Sequence, residues 1–142
     1  MKNGWGVRLQ YARQDMAPKN PGSDQVITVG GFNGTFNEAT RGNLSVGDLS
    51  YQLQGTYLRG WLSKVTFYGM YSMYEKSNPN FRNSQRFILG TSFSLKPLSI
   101  YIEWLNGRND PYLGGSSYSQ SLAAGGIKRW RGKLYMNIAY YF

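Results

Sequence analysis

The chain has 142 residues, with 16 Lys and Arg against 7 Asp and Glu, a formal charge of +9, 12 Tyr, 18 Gly and neither Cys nor His. The missing residue types exclude a disulfide framework, a thiolate or imidazole metal site and any Ser-His-Asp or Cys-His nucleophilic arrangement. No run approaches the roughly 18 consecutive apolar residues of a membrane helix. Transmembrane strands are only half apolar and leave no such signal, so periodicity has to decide.

Taken in order, Trp5, Val7, Leu9 and Tyr11 alternate with Gly6, Arg8, Gln10 and Ala12, which predicts a half-buried strand. Asp15 to Asp24 is broken by Pro18, Pro21 and Gly22 and reads as a loop. Residues 25 to 36 are extended, but Ile27 and Val29 are out of phase with Phe32 and Phe36, so a bulge is expected at Gly30 and Gly31. A loop over 37 to 47 leads to a strand from Asp48 to Leu58, a tight turn at Arg59 and Gly60, and a strand from Trp61 to Tyr74. In the latter, Val65, Phe67, Gly69, Tyr71 and Met73 oppose Lys64, Thr66, Tyr68, Met70 and Ser72.

After a polar loop from Glu75 to Ser84, Phe87, Leu89, Thr91, Phe93 and Leu95 oppose Arg86, Ile88, Gly90, Ser92 and Ser94. Lys96 and Pro97 turn the chain into a strand in which Leu98, Ile100, Ile102 and Trp104 oppose Ser99, Tyr101, Glu103 and Leu105. Residues 107 to 126 form a long Gly/Ser loop, with room for a short strand within 116 to 126. The last strand extends from Lys128 to Phe142, with Trp130, Gly132, Leu134, Met136, Ile138, Tyr140 and Phe142 on one face. Trp5, Trp61, Trp104 and Trp130 fall near predicted strand ends, where amphipathic rings anchor at headgroup depth.

Short turns alternating with long loops predict an all-β fold, an antiparallel up-and-down transmembrane β-barrel contributing seven or eight strands in a single domain over 1 to 142. With the last strand descending, the N-terminal strand starts from the extracellular end. That makes the chain the C-terminal part of a larger barrel, or one that needs strands from copies of itself. No leader precedes Asn3, so an exported form is expected to have lost one.

The face opposite the apolar stripe is expected to line a pore through Arg8, Gln52, Gln54, Lys64, Tyr68, Arg86, Tyr101, Glu103, Arg129, Arg131, Lys133 and Asn137, with Glu103 as the acid well inside a strand. Rings of Arg and Lys favour anions. The same residues equally suit ladders with Glu and Tyr inside a plugged barrel, or contacts with lipid phosphates at the rim. Met70, Ile88, Leu58 and Leu105 on this face suit a narrow or partly filled interior.

Leu134 to Phe142 resembles the terminal strand and assembly signal of bacterial outer-membrane barrels, in which alternating apolar positions end on a C-terminal Phe. The stretches VTFYGMYSMYEKS, NSQRFILGTSFSLKPLSIYIEWLNGRNDPYLGG, SLAAGG and LYMNIAYYF resemble the C-terminal region of proteobacterial porins related to the phosphate-selective class, over residues 48 to 142. The resemblance implies a bacterial outer-membrane location and a many-stranded, commonly trimeric barrel that passes small solutes by diffusion. It also implies lipid, lipopolysaccharide and the barrel-assembly machinery as partners, with no cofactor. Two other readings remain: a small closed eight-stranded barrel with a structural or adhesive role, and a soluble basic barrel binding nucleic acid or a small ligand. A nucleic-acid module places aromatic and basic residues on one face, whereas most segregate here to opposite parities. No catalytic residue set is expected.

Overall fold

The backbone is extended over most of its length because the apolar residues recur with period two. The computed structural model describes residues 4–19, 23–31, 34–110, 112–113, 123, 125 and 128–142. Its elements are β1 (Trp5–Asp15), β2 (Val26–Gly31), β3 (Gly34–Ala39), β4 (Arg41–Gln52), the two-residue β5 (Thr56–Tyr57), β6 (Leu62–Lys76), β7 (Ser84–Leu95), β8 (Leu98–Arg108) and β9 (Arg131–Tyr140). There is no α-helix among the described residues. Six long strands form one antiparallel sheet in the order β1-β4-β6-β7-β8-β9, with β5 beside the start of β6. β2 and β3 make a separate hairpin.

The fold is thus all-β and up-and-down, and its main sheet has seven strands, six long ones and the short β5, which matches one of the two counts expected, although the strands are not all the ones expected. The difference arises before residue 52. Residues 41 to 47 are not a loop: β4 begins at Arg41 and pairs in continuous register with β1, from Asp15↔Arg41 to Trp5↔Tyr51. The bulge expected at Gly30 and Gly31 is instead the end of the β2–β3 hairpin, in which Gly31 faces Gly34 and Val29 faces Phe36. Reversing the chain puts Val29 and Phe36 on one face and removes the phase conflict.

The bulge that does occur lies in β6, where the register with β7 shifts between Ser63 and Thr66. Lys64 there takes φ 51°, a left-handed conformation that strains a residue with a Cβ. Leu58, Arg59 and Gly60 form a 3-10 turn at positive φ, closed by the Trp61 amide donating to the Leu58 carbonyl at 3.2 Å. The final strand is β9, shorter at both ends than Lys128 to Phe142. The strand proposed within 116 to 126 falls largely outside the described residues.

Because six strands alternate in direction, the start of β1 and the end of β9 lie at the same end of the sheet, not at opposite ends. We call this the lower end. It gathers Trp5, Gln52, Leu95, Leu98 and Tyr140, while Asp15, Arg41, Lys76, Ser84 and Arg108 stand at the upper end.

The ladder registers divide the sheet into two faces. One, the open face, presents Trp5, Val7, Leu9 and Tyr11 of β1, Leu49 and Tyr51 of β4, and Phe67, Tyr71 and Met73 of β6. It continues through Phe87, Leu89 and Phe93 of β7, Ile100, Ile102 and Trp104 of β8, and Leu134, Met136, Ile138 and Tyr140 of β9. Above this apolar band the same face turns polar, through Arg13, Asn43, Glu75, Gln85, Asn106 and Arg108. Val65, expected on this face, is buried in the β6 bulge.

The opposite, covered face holds the small core: Ile88, Leu105 and Leu113 are buried together, with Tyr68, Met70, Tyr112 and Tyr135 against them. Leu58, expected on this face, sits exposed in the 3-10 turn instead. Among the described residues no ladder joins β1 to β9, so both are edge strands.

Candidate functional site

The covered face carries the polar chemistry of the sheet. Continuous register places Arg8 of β1, Gln52 of β4, Tyr68 of β6, Arg86 of β7, Tyr101 and Glu103 of β8, and Arg131, Lys133 and Asn137 of β9 on it. Three residues expected beside them lie elsewhere. Gln54 is beyond the end of β4, Lys64 is an exposed residue of the β6 bulge, and Arg129 precedes β9.

Most of the charge on this face is paired. Arg8 stands directly opposite Asp48 across the β1–β4 ladder, and its Nε donates to Asp48 Oδ1 at 3.1 Å. Asp48 is the eighth residue of β4, so Glu103 is not alone as an acid inside a strand. Tyr68 Oη donates to Glu103 Oε1 at 2.6 Å. Arg86 makes a two-pronged contact with Asp110, Nε to Oδ2 at 2.7 Å and Nη2 to Oδ1 at 2.9 Å, the planar-fork geometry that makes Arg–carboxylate pairs strong.

Asp110 also accepts from the amides of Tyr112 and Leu113. One side chain thereby both neutralises Arg86 and folds the segment after β8 onto the covered face, where Leu113 is buried against Ile88 and Leu105. Lys133 Nζ lies 4.9 Å above the Tyr112 ring and the Arg86 guanidinium 5.9 Å from it, so this ring is flanked by two cations.

Below this cluster a cavity of about 810 Å³ is lined by Arg8, Asp48, Ser50, Gln52, Tyr68 and Tyr101, among others. Trp5, Val7 and Met70 line it beside these polar groups, so its wall is mixed.

At the upper end the Ala39 carbonyl of β3 ties the β2–β3 hairpin to the sheet. Gln14 Nε2 and Tyr74 Oη both donate to the Ala39 carbonyl oxygen at 2.9 Å. Thr40, which joins β3 to β4, is 2% exposed, and its hydroxyl donates to the Asp24 carbonyl at 2.8 Å. Burial raises the pKa of Glu38 in the hairpin, an effect opposed by the charge of Lys76. Lys76 is itself buried, with no hydrogen-bond partner at Nζ among the described residues.

Sequence reasoning missed Asp110, Tyr112 and Leu113 as parts of this face. Only the long-range register that brings the end of β8 beside Arg86 reveals them. Asp48 was legible in principle, since it shares the parity of Ser50 and Gln52.

No group of three or more acids that could hold a metal ion occurs among the described residues. Comparison of the chain with protein-family models, with curated proteins and with solved structures yields no match.

Proposed function

We propose that this chain forms a contiguous part of the wall of a bacterial outer-membrane β-barrel, lining a porin-type path for passive diffusion of small polar solutes. The observation that carries the reading is the open face. Every one of its six strands exposes apolar side chains, Leu9 at 84% and Leu134 at 71% among them. Soluble monomers rarely leave so wide a contiguous apolar surface uncovered. Strands of 10 to 15 residues meet the roughly 9–11 needed to cross a bilayer.

Aromatic residues support the orientation. Trp5 and Tyr51, whose rings are 4.8 Å apart, and Tyr140 and Phe142 lie at the lower border of the apolar band, while Trp130 stands at the upper border with Arg108 against its ring. Trp104 falls within β8 and takes no part in a border.

On this reading the covered face is the lumen wall. Pairing of Arg8 with Asp48 and of Arg86 with Asp110 cancels much of its basic excess. Any anion preference therefore rests on Arg131 and Lys133 near the upper mouth and is modest. The cluster of Ile88, Leu105 and Leu113 favours a second reading, a partly filled interior that conducts little.

The test has two parts. Refolding into detergent micelles should give a β-rich circular dichroism spectrum and heat-modifiable gel mobility, and a monodisperse fold in plain buffer would overturn the membrane reading. Planar-bilayer recording under a salt gradient should then show steps with weak anion selectivity. Silence from a folded, inserted sample would favour the filled interior.

A further inference from the structure

Resting on the membrane reading above, we propose that β1 and β9 are complementary halves of one junction. The β9 edge of one copy pairs antiparallel with the β1 edge of a second copy, and two copies enclose the lumen that one leaves open.

Four observations carry this. Both edges are long, eleven residues in β1 and ten in β9, and both keep unbroken register with their inner neighbours. Neither contains a proline or a bulge, devices by which sheets blunt an edge against further pairing. The two strands run in opposite directions, as an antiparallel ladder requires. Their alternation also matches: Trp5, Val7, Leu9 and Tyr11 on one edge would continue the apolar band of Leu134, Met136, Ile138 and Tyr140 on the other, while Arg8 and Gln10 would join Lys133, Tyr135 and Asn137 on the covered face.

The environment makes some partner obligatory, because an open sheet edge in hydrocarbon leaves a row of amides and carbonyls with nothing to bond. The six long strands among the described residues, closed on themselves, would number fewer than the roughly eight of the smallest outer-membrane barrels. Two copies give an even set twice that size, wide enough to hold the side chains of the covered face with space between them.

The absence of Cys in the chain gives a clean test. Leu9→Cys and Met136→Cys chains, refolded together in detergent micelles and oxidised, should yield a mixed disulfide dimer, with twice the chain mass by light scattering before oxidation. Leu9→Cys with Ile138→Cys, two residues along the ladder and on the same face, repeats the measurement in case the first pair is out of register or fails to refold. Leu89→Cys, in the middle of the sheet, should not cross-link.

A Leu9→Cys/Met136→Cys double variant that closes within a single chain would overturn the proposal, as would a folded, micelle-bound species of single-chain mass that no pair cross-links. Folding in buffer without detergent would instead defeat the membrane reading on which the proposal rests. The two failures are therefore distinguishable.

Discussion

Tyr68 and Glu103 are joined across an intervening strand: the Tyr68 hydroxyl on β6 reaches the Glu103 carboxylate on β8 at 2.6 Å by lying over Gly90 of β7. A Cβ built on Gly90 would stand 2.4 Å from the Tyr68 ring. The glycine is therefore a steric requirement of the bond, and its φ is not the reason.

Gly90→Ala should displace the ring and cost about 1–3 kcal/mol, the usual penalty for overpacking. Tyr68→Phe, which leaves Glu103 without its donor, should cost a similar amount. The Gly90→Ala/Tyr68→Ala double variant should lose less than the sum of its single changes, because the ring that clashes is gone. Urea midpoints of the refolded chain check all three.

The Arg86–Asp110 pair fastens the segment after β8 to the covered face. Asp110→Ala should cost about 2 kcal/mol, within the range for hydrogen bonds to charged groups. It should also release Tyr112 and Leu113 to protease or amide exchange while leaving the β6–β7 ladder protected. Loss of protection in both regions at once would show that the pair supports the whole sheet.

The hairpin β2–β3 should respond to pH through Glu38. Burial holds its folded pKa above the usual 4.5, so between the two values the folded state keeps a proton that the unfolded state has lost. The resulting stabilisation is complete below the usual value and disappears as pH rises through the folded one. Amide exchange in β2 and β3 should therefore accelerate from acid to neutral pH, and Glu38→Gln should flatten that dependence.

Lys76, buried with no hydrogen-bond partner for Nζ among the described residues, makes a related prediction. Lys76→Met keeps the length of the stem and removes the unpaired amine, and should raise stability by about 1 kcal/mol or more. A loss of similar size would show that its charge, facing Glu38, holds the hairpin in place.

On the open face, Leu89→Arg should cost about 2–4 kcal/mol in a bilayer, the midplane penalty for a lipid-facing cation. Spin labels at Leu9, Phe67, Leu89 and Met136 should report hydrocarbon, and labels at Gln52, Ser92 and Asn137 should report water. An inverted pattern would exchange the two faces.

The alternation of Phe87 to Leu95, Leu98 to Trp104 and Leu134 to Tyr140 was legible because those strands put most of their apolar residues on one face and run in register without a bulge. Residues 41 to 47 defeated the same rule. There Leu44 and Val46 point to the covered face and the open face holds Asn43, Ser45 and Gly47, so the local pattern reads as weak and polar. The bulge at Lys64 shifts parity within a strand, which moved Lys64 and Val65 off the faces expected for them. Asp110 and its hold on Arg86 depend on residues brought together by the ladder, and no local spacing announces them.

The connections between strands differ widely in span. β7 and β8 are separated by only Lys96 and Pro97, and β6 and β7 by the loop from 77 to 83, whereas β9 meets β8 after the long segment from 109 to 130, and β1 meets β4 only after the whole β2–β3 hairpin. Closure entropy rises with the length of chain to be gathered, so nearby pairings nucleate first. The middle of the sheet zips early and its two borders dock late. During that interval the margins of a growing sheet are still recruiting strands, which is when a neighbouring chain competes best for them.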